Sequence, residues 1–272
     1  MAGNKEVIAV DLGGTNLRVA RVRGKKIFDY QKKSTPKEKN ALIREIVDSV
    51  AGLMNKNTNG IGVASPGPLK DGIIKNPPNL PLRNFNLKKF LKKKFKVRVE
   101  VGNDADCVAL SEAEFGCKKK NFLVITLGTG VGGGIIINGK LFSGTGYAGE
   151  VGNIVLDKGK DMEVLWQENR RICQKYFGEG TLVKDLFKIK DKKAKEILFR
   201  TTNYLGQGIA SLINVLDPEV VVLMGGIRET GEKFLNLVRK EVKKYSALPK
   251  TTPIKWSKIA HPGILGASLL VR

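Results

Sequence analysis

Residues 7–25 read VIAVDLGGTNLRVARVRGK, and residues 122–140 read FLVITLGTGVGGGIIINGK. Each stretch is an apolar run, a glycine-rich break, a second strand-like run and a Gly-Lys turn. At a single offset of 115, Leu12-Gly13 falls on Leu127-Gly128 and Gly24-Lys25 falls on Gly139-Lys140. β-branched and apolar residues fit a pleated, half-buried surface, and glycine supplies the turns between such runs. The repeat predicts two similar α/β domains around a central cleft.

The elements outward from these hairpins alternate in the same way. Residues 26–30, 60–64, 97–101 and 220–224 read as strands. Residues 38–54 carry Leu42, Ile46, Val50 and Leu53 at helical spacing, and 84–96, 104–115, 162–177, 191–215, 231–245 and 264–271 read as further helices. The expected division is a small N-terminal domain, 1–105, joined by a closing helix at 260–272, and a larger domain, 106–259.

Composition narrows the function classes. The 272 residues are 42% hydrophobic and 27% charged, which suits a folded chain with ample core. No apolar run approaches the roughly 18 residues of a membrane span, and residues 1–10 lack the regions of a signal peptide. The cytoplasm is the expected location. With three scattered cysteines and His261 as the only histidine, a zinc site and Ser-His catalysis are both disfavoured. The 48 Lys and Arg against 26 Asp and Glu give a surplus of 22 positive charges. The lysine runs at 88–89, 92–94, 118–120 and 188–195 lack interleaved aromatics apart from Phe90 and Phe95, whose spacing suits a helix core face. A solvated basic surface is expected there, not a nucleic-acid site, and no membrane partner.

Three groups of residues carry chemistry. Gly13-Gly14-Thr15-Asn16 and Gly128-Thr129-Gly130 are candidate nests of backbone N–H groups for anionic oxygens. Asp11, at the strand end before the first nest, has the donor type that Mg²⁺ prefers, directly or through water. Asp104 follows the strand at 97–101 within Gly102-Asn103-Asp104, where a helix N-cap is the plain alternative. Glu150 stands in the glycine-bracketed stretch 146–153. Such carboxylates and amides grip sugar hydroxyls, and Ser65-Pro66-Gly67-Pro68 and the loop 76–81 with Asn79 are stiff enough for the same task.

In order and spacing the motifs resemble the ROK family of sugar kinases, within the actin-like, ribonuclease H-like ATPases. DLGGTN, SPGP, NPPNLP, GNDA, LGTGVGGGIIINGKLFSGTGYAGEVGN, VVLMGG and PGILGASLL carry the likeness over nearly the whole chain. The resemblance implies an ATP-dependent hexokinase, glucose to glucose 6-phosphate foremost, with Asp104 as general base and Asp11 ordering Mg²⁺. It implies phosphate contacts from Gly13, Gly14, Thr15, Asn16, Thr129 and Gly130, and adenosine over Gly225 and Gly226. Ser65, Pro66, Gly67, Asn79, Asn103, Asp104, Glu150, Asn153 and Glu163 would line the hexose, and a homodimer is expected. Phosphoryl transfer itself asks for alignment, charge neutralisation and a base near the attacking oxygen.

The chain departs from the family pattern in two places. Asn153 stands where the family usually has a zinc-bound histidine after GEVG, and the zinc-binding cysteine cluster is missing from 156–163. No zinc is therefore expected, and selectivity at the C1–C2 end of the sugar should be relaxed. Alternatives are polyphosphate as donor, N-acetylmannosamine, fructose or allose as acceptor, and a sugar-sensing protein without turnover. The family's repressors carry a helix-turn-helix ahead of the first phosphate loop, and with six residues before Val7 none is expected here.

Overall fold

The computed structural model describes residues 6–77 and 79–272. Pro78 of the proline loop, and residues 1–5 of the stretch read for a signal peptide, lie outside the described residues. The chain forms two compact units: one holds the segments up to Lys118, 140–148 and 259–272, the other 119–139 and 149–258.

The first unit is built on β1 (Glu6–Leu12), β2 (Asn16–Arg23), β3 (Lys26–Ser34) and β4 (Thr58–Ser65), with α1 (Lys39–Leu53) between β3 and β4. Leu42, Ile46 and Val50 form the buried stripe of α1. A small three-stranded sheet follows: β5 (Leu69–Lys70), β6 (Ile73–Ile74) and β7 (Phe85–Asn86). Then come α2 (Leu87–Phe95), β8 (Arg98–Asn103) and α3 (Asp104–Phe115). The main sheet has the order β3-β2-β1-β4-β8. The β1–β2 and β2–β3 pairs are antiparallel, whereas β1, β4 and β8 run parallel. Phe90 and Phe95 pack toward the core of this unit, as their helical spacing indicates.

The second unit repeats the plan. Its strands are β9 (Phe122–Leu127), β10 (Val131–Ile137), a hairpin of β12 (Val155–Asp157) and β13 (Lys160–Asp161), β14 (Val220–Met224) and β15 (Ile254–Trp256); the short β11 (Lys140–Leu141), from the 140–148 segment, joins the edge of the same sheet. The helices are α4 (Met162–Phe177), α5 (Lys192–Leu216) and α6 (Glu232–Tyr245). The sheet order β11-β10-β9-β14-β15 mirrors the first sheet strand for strand. The repeat in sequence is thus a repeat in topology, with one correction. The first hairpin closes at Leu12↔Leu17 and the second at Leu127↔Val131, so the second loop is one residue shorter. The strands after the loops match at an offset of 114. The turn Gly24-Lys25 corresponds to Asn138-Gly139, where Asn138 takes a φ of 53° and Gly139 one of 76°.

The closing helix α7 (Pro262–Leu269) lies against β1, β4 and α3 of the first unit. Glycines permit the approach. A Cβ on Gly62 would stand 1.8 Å from the Ala267 carbonyl oxygen, and one on Gly266 would stand 1.7 Å from that of Cys107.

Candidate functional site

Three parallel strands end side by side in the first unit. Asp11 on β1 is level with Ala64 on β4, Ala64 with Gly102 on β8, and Ser65 with Asn103. Neighbouring strands are about 4.8 Å apart, so Asp11 and the head of α3 are separated by roughly 10 Å along the C-terminal edge of the sheet. Ligands of open α/β sheets bind at that edge. Asn103 caps α3: its Oδ1 accepts from the N–H groups of Ala105 (2.9 Å) and Asp106 (3.2 Å). Asp104 is the first helical residue, and its Oδ1 also accepts from Ala105 N–H at 2.9 Å. The cap is therefore Asn103, and Asp104 is held by the helix it begins. Ser65 is fully buried, and Gly67, at φ 89°, packs against Pro77 so closely that a Cβ would come within 2.7 Å of its Cα. This binds the 65–68 loop to the 76–81 loop, where Asn79 is exposed with φ 61°.

Asp11 pairs across the β1–β2 hairpin with Arg18, Nη1 to Oδ2 at 3.0 Å. A Cβ on Gly263 would lie about 3 Å from the same carboxylate, so the first turn of α7 packs directly on it. Burial pushes the Asp11 carboxyl above its ordinary range, and the Arg18 guanidinium and His261 pull against that shift.

Both glycine loops have their carbonyls tied down. Thr35 Oγ1 donates to the Gly13 carbonyl (2.6 Å), Lys37 Nζ to that of Gly14 (2.8 Å) and Thr35 N–H to that of Thr15 (3.0 Å). Asn16 already belongs to β2. In the second unit, Trp166 Nε1 donates to the Gly128 carbonyl (3.1 Å) and Arg170 Nη1 to that of Thr129 (2.8 Å).

Glu163 sits in the first turn of α4, whose N-cap is Asp161. Its carboxylate lies against two glycines: a Cβ on Gly130 would be 2.7 Å from it, and one on Gly152 would be 3.3 Å away. Glu150 and Glu163 are near enough to interact. Partial burial first, and the Glu163 charge second, raise the Glu150 carboxyl above its ordinary range. Asn153 ends a short 3₁₀ turn, Val151–Asn153, and is exposed. Gly225 follows β14, where a Cβ would meet the Leu127 carbonyl oxygen at 1.9 Å, and its φ of 125° excludes a side chain besides. Gly226 has open space around its Cα. β14 and β9 are parallel neighbours, so this turn lies beside the 128–130 loop.

A model of the ROK family matches residues 7–175 and 159–272. The chain belongs to the ROK family. Glucokinase of Halalkalibacterium halodurans is 30% identical over 315 residues, covering 97% of this chain and 94% of that one. The xylose repressor of Bacillus spizizenii is 33% identical over 204 residues, covering 67% of this chain and 52% of the repressor. A crystal structure of a ROK glucokinase from Streptomyces griseus, in complex with glucose and AMPPNP, superposes with a TM-score of 0.79 at 25% identity, covering 97% and 98% of the two chains. The fold is the actin-like α/β fold of the ROK kinases.

Within this ROK chain the expected site residues gather at two sets of strand ends. Asp11, the loop 13–16, Ser65, Asn103 and Asp104 lie along one edge in the first unit. The loop 128–130, Glu150, Glu163, Gly225 and Gly226 lie around the matching edge in the second. Asn79 and Asn153 stand on exposed turns. Sequence reading missed Arg18, Thr35, Lys37, Trp166, Arg170 and Gly263. Arg18 alone had a signal, because opposite charges symmetric about a hairpin loop meet across it.

Among the described residues, no three His, Cys, Asp or Glu side chains are placed to hold a metal ion together. Asp11 is a single carboxylate at the end of β1, just before the glycine loop 13–16, with Oδ2 paired to Arg18. That donor set fits Mg²⁺ carried in on phosphate oxygens and waters, with Asp11 as its protein-side partner. No helix among the described residues is long and apolar enough to cross a membrane.

Proposed function

We propose that this protein is an ATP-dependent hexose kinase, with glucose as its foremost acceptor and glucose 6-phosphate as product. The observation that carries this is the row of Asp11, Ser65, Asn103 and Asp104 along one strand-end edge beside a glycine loop. Asp104, anchored by its own helix, accepts the proton of the attacking hydroxyl. General-base assistance of this kind contributes about 10²–10⁴ in rate. Asn103 spends Oδ1 on the helix cap and keeps its Nδ2 donors for the sugar. Ser65, Pro66, Gly67, Asn79, Glu150, Asn153 and Glu163 complete the acceptor set. Gly13, Gly14, Thr15, Asn16, Thr129 and Gly130 hold the phosphates, and Gly225 and Gly226 offer a flat backbone to adenine. Mg²⁺, when bound, neutralises charge on the transferring phosphates. Asn153 is shorter than histidine and has no metal to fix it, so C2 variants of glucose are accepted alongside glucose, and galactose is not. We place the enzyme in the cytoplasm as a homodimer.

A second reading, with polyphosphate as donor, is favoured by one feature. Lys88, Lys92, Lys96 and Arg98 line a surface hollow between α2 and the start of β8, two of them paired with Glu100, at the strand end away from Asn103 and Asp104, so that only a long polyanion would span both. The similarity to a xylose repressor favours sugar sensing without turnover, against which stand both Asp11 and Asp104. One experiment separates all three: a coupled kinase assay over a sugar panel, with ATP and polyphosphate in parallel arms. Turnover that EDTA abolishes and Mg²⁺ restores, with ATP the better donor, is expected. Higher kcat/KM with polyphosphate overturns the donor, and sugar binding without turnover overturns the enzyme.

A further inference from the structure

The two glycine loops are held by unrelated elements in the same way. In the first, a neutral donor, Thr35 Oγ1, takes the carbonyl of Gly13 and a cation, Lys37 Nζ, takes that of Gly14. In the second, a neutral donor, Trp166 Nε1, takes the carbonyl of Gly128 and a cation, Arg170, takes that of Thr129. Gly13 and Gly128, and Gly14 and Thr129, are partners at the offset of 115 on the strand side of the loops. The tethers are not repeats of each other. Thr35 and Lys37 follow β3, whereas Trp166 and Arg170 lie one turn apart on α4.

A tether on a carbonyl also sets an N–H. The peptide unit is planar and trans, so the N–H of the next residue points opposite to the C=O. No cis peptide occurs among the described residues. Fixing the Gly13 and Gly14 carbonyls therefore turns the Gly14 and Thr15 N–H groups to the far side. Fixing those of Gly128 and Thr129 does the same for the Thr129 and Gly130 N–H groups. None of these four N–H groups donates to an acceptor among the described residues. Each loop thus presents two successive unsatisfied donors, which suits the binding of anionic oxygens. The cation behind each second carbonyl polarises that peptide and strengthens its N–H as a donor.

We propose that Thr35 with Lys37, and Trp166 with Arg170, are positioning residues for the phosphate chain of the donor. They act through the loop carbonyls and aim backbone N–H groups at phosphate oxygens. This rests on the kinase reading above. It also gives α4 two tasks, since Glu163, Trp166 and Arg170 at i, i+3 and i+7 share one face and attend to the three successive residues of one loop.

The test is calorimetric binding of AMPPNP with Mg²⁺, and of glucose separately, to the full-length protein and its variants. Thr35→Val and Trp166→Phe remove a tether without changing charge, and Lys37→Met and Arg170→Met remove tether and charge together. Each uncharged change is expected to raise the Kd for AMPPNP about tenfold and leave that for glucose within about twofold. Arg170→Lys, which keeps a donor, should recover part of the loss, and thermal midpoints should fall by no more than about a few degrees. If the uncharged variants bind AMPPNP as the parent does while the methionine variants lose affinity, the cations act only as distant charges and the proposal is wrong. It is equally wrong if AMPPNP and glucose affinities fall together with the thermal midpoint. An unmutated protein that binds no AMPPNP and phosphorylates no sugar refutes the kinase reading itself, a result visible before any variant is made.

Discussion

Gly130→Ala tests the acceptor side of the site through a steric change. The new Cβ would lie 2.7–2.9 Å from all three atoms of the Glu163 carboxyl group. Ordinary contact begins near 3.4 Å, so the carboxylate has to retreat by roughly 0.7 Å or more. Gly130 lies outside the positive-φ region, so alanine strains no backbone there and the side chain must yield. Glu163 is a long side chain on the first turn of α4 and can swing out. It then loses the hydrogen bond from Gln167 Nε2, 2.9 Å in the parent, and has to adopt another rotamer. Those losses cost about 1–2.5 kcal/mol together. For a chain of this size that lowers Tm by roughly 3–8 °C. If Glu163 holds a sugar hydroxyl, its displacement removes a charged hydrogen bond and raises the Kd for glucose about tenfold to a hundredfold. AMPPNP affinity should change little, since the Gly130 N–H remains in place. Differential scanning calorimetry and isothermal titration with each ligand read all three quantities. A variant with the lowered Tm and an unchanged glucose Kd would refute the placement of Glu163 in the sugar site.

Asp104→Asn keeps size and polarity but cannot accept a proton; kcat should fall by about 10²–10⁴ with sugar affinity nearly unchanged, and more than about a third of parental turnover excludes Asp104 as base. Glu150 has its pKa raised above the ordinary 4.5 by burial and by Glu163. Its ionisation therefore opposes folding above the folded-state pKa and has no effect below the unfolded one. Glu150→Gln should raise Tm at about pH 8 and match the parent near pH 4; a lower Tm at pH 8 contradicts this. Gly266→Ala drives a methyl group into the Cys107 backbone, whose carbonyl oxygen is 1.7 Å from the Cβ position, and should push α7 from α3. A loss of about 1–3 kcal/mol in urea unfolding is expected, and parental stability would mean that α7 can shift freely.

Much of this protein follows from chain-local rules. The helices at 104–115 and 162–177 and the strand at 220–224 begin and end where apolar periodicity, caps and glycine breaks place them. The twofold topology is legible because an apolar strand, a glycine turn and a second strand repeat with nearly constant spacing. Local pattern is enough there, since a strand's neighbour along the chain is usually its neighbour in the sheet. The small strands β5, β6, β7, β12, β13 and β15 went unread because two or three residues carry no periodicity.

The site divides in the same way. Asp11, the glycine loops, Asp104 and Glu150 stand out by residue type at strand ends, so their candidacy belongs to the sequence. Their neighbours do not. Lys37 meets Gly14 across 23 positions and Arg170 meets Thr129 across 41, with no spacing rule connecting them. The one-residue slip between the hairpins, invisible in the matched glycines, appears only in the ladder pairing. Likewise Gly263 reads as a helix residue until α7 is laid on β1 and its missing side chain makes room for the Asp11 carboxylate. Sequence specifies which groups are available because propensity and turn chemistry act over a few residues. The tertiary structure decides which of them touch, because packing brings together positions that the chain itself leaves far apart.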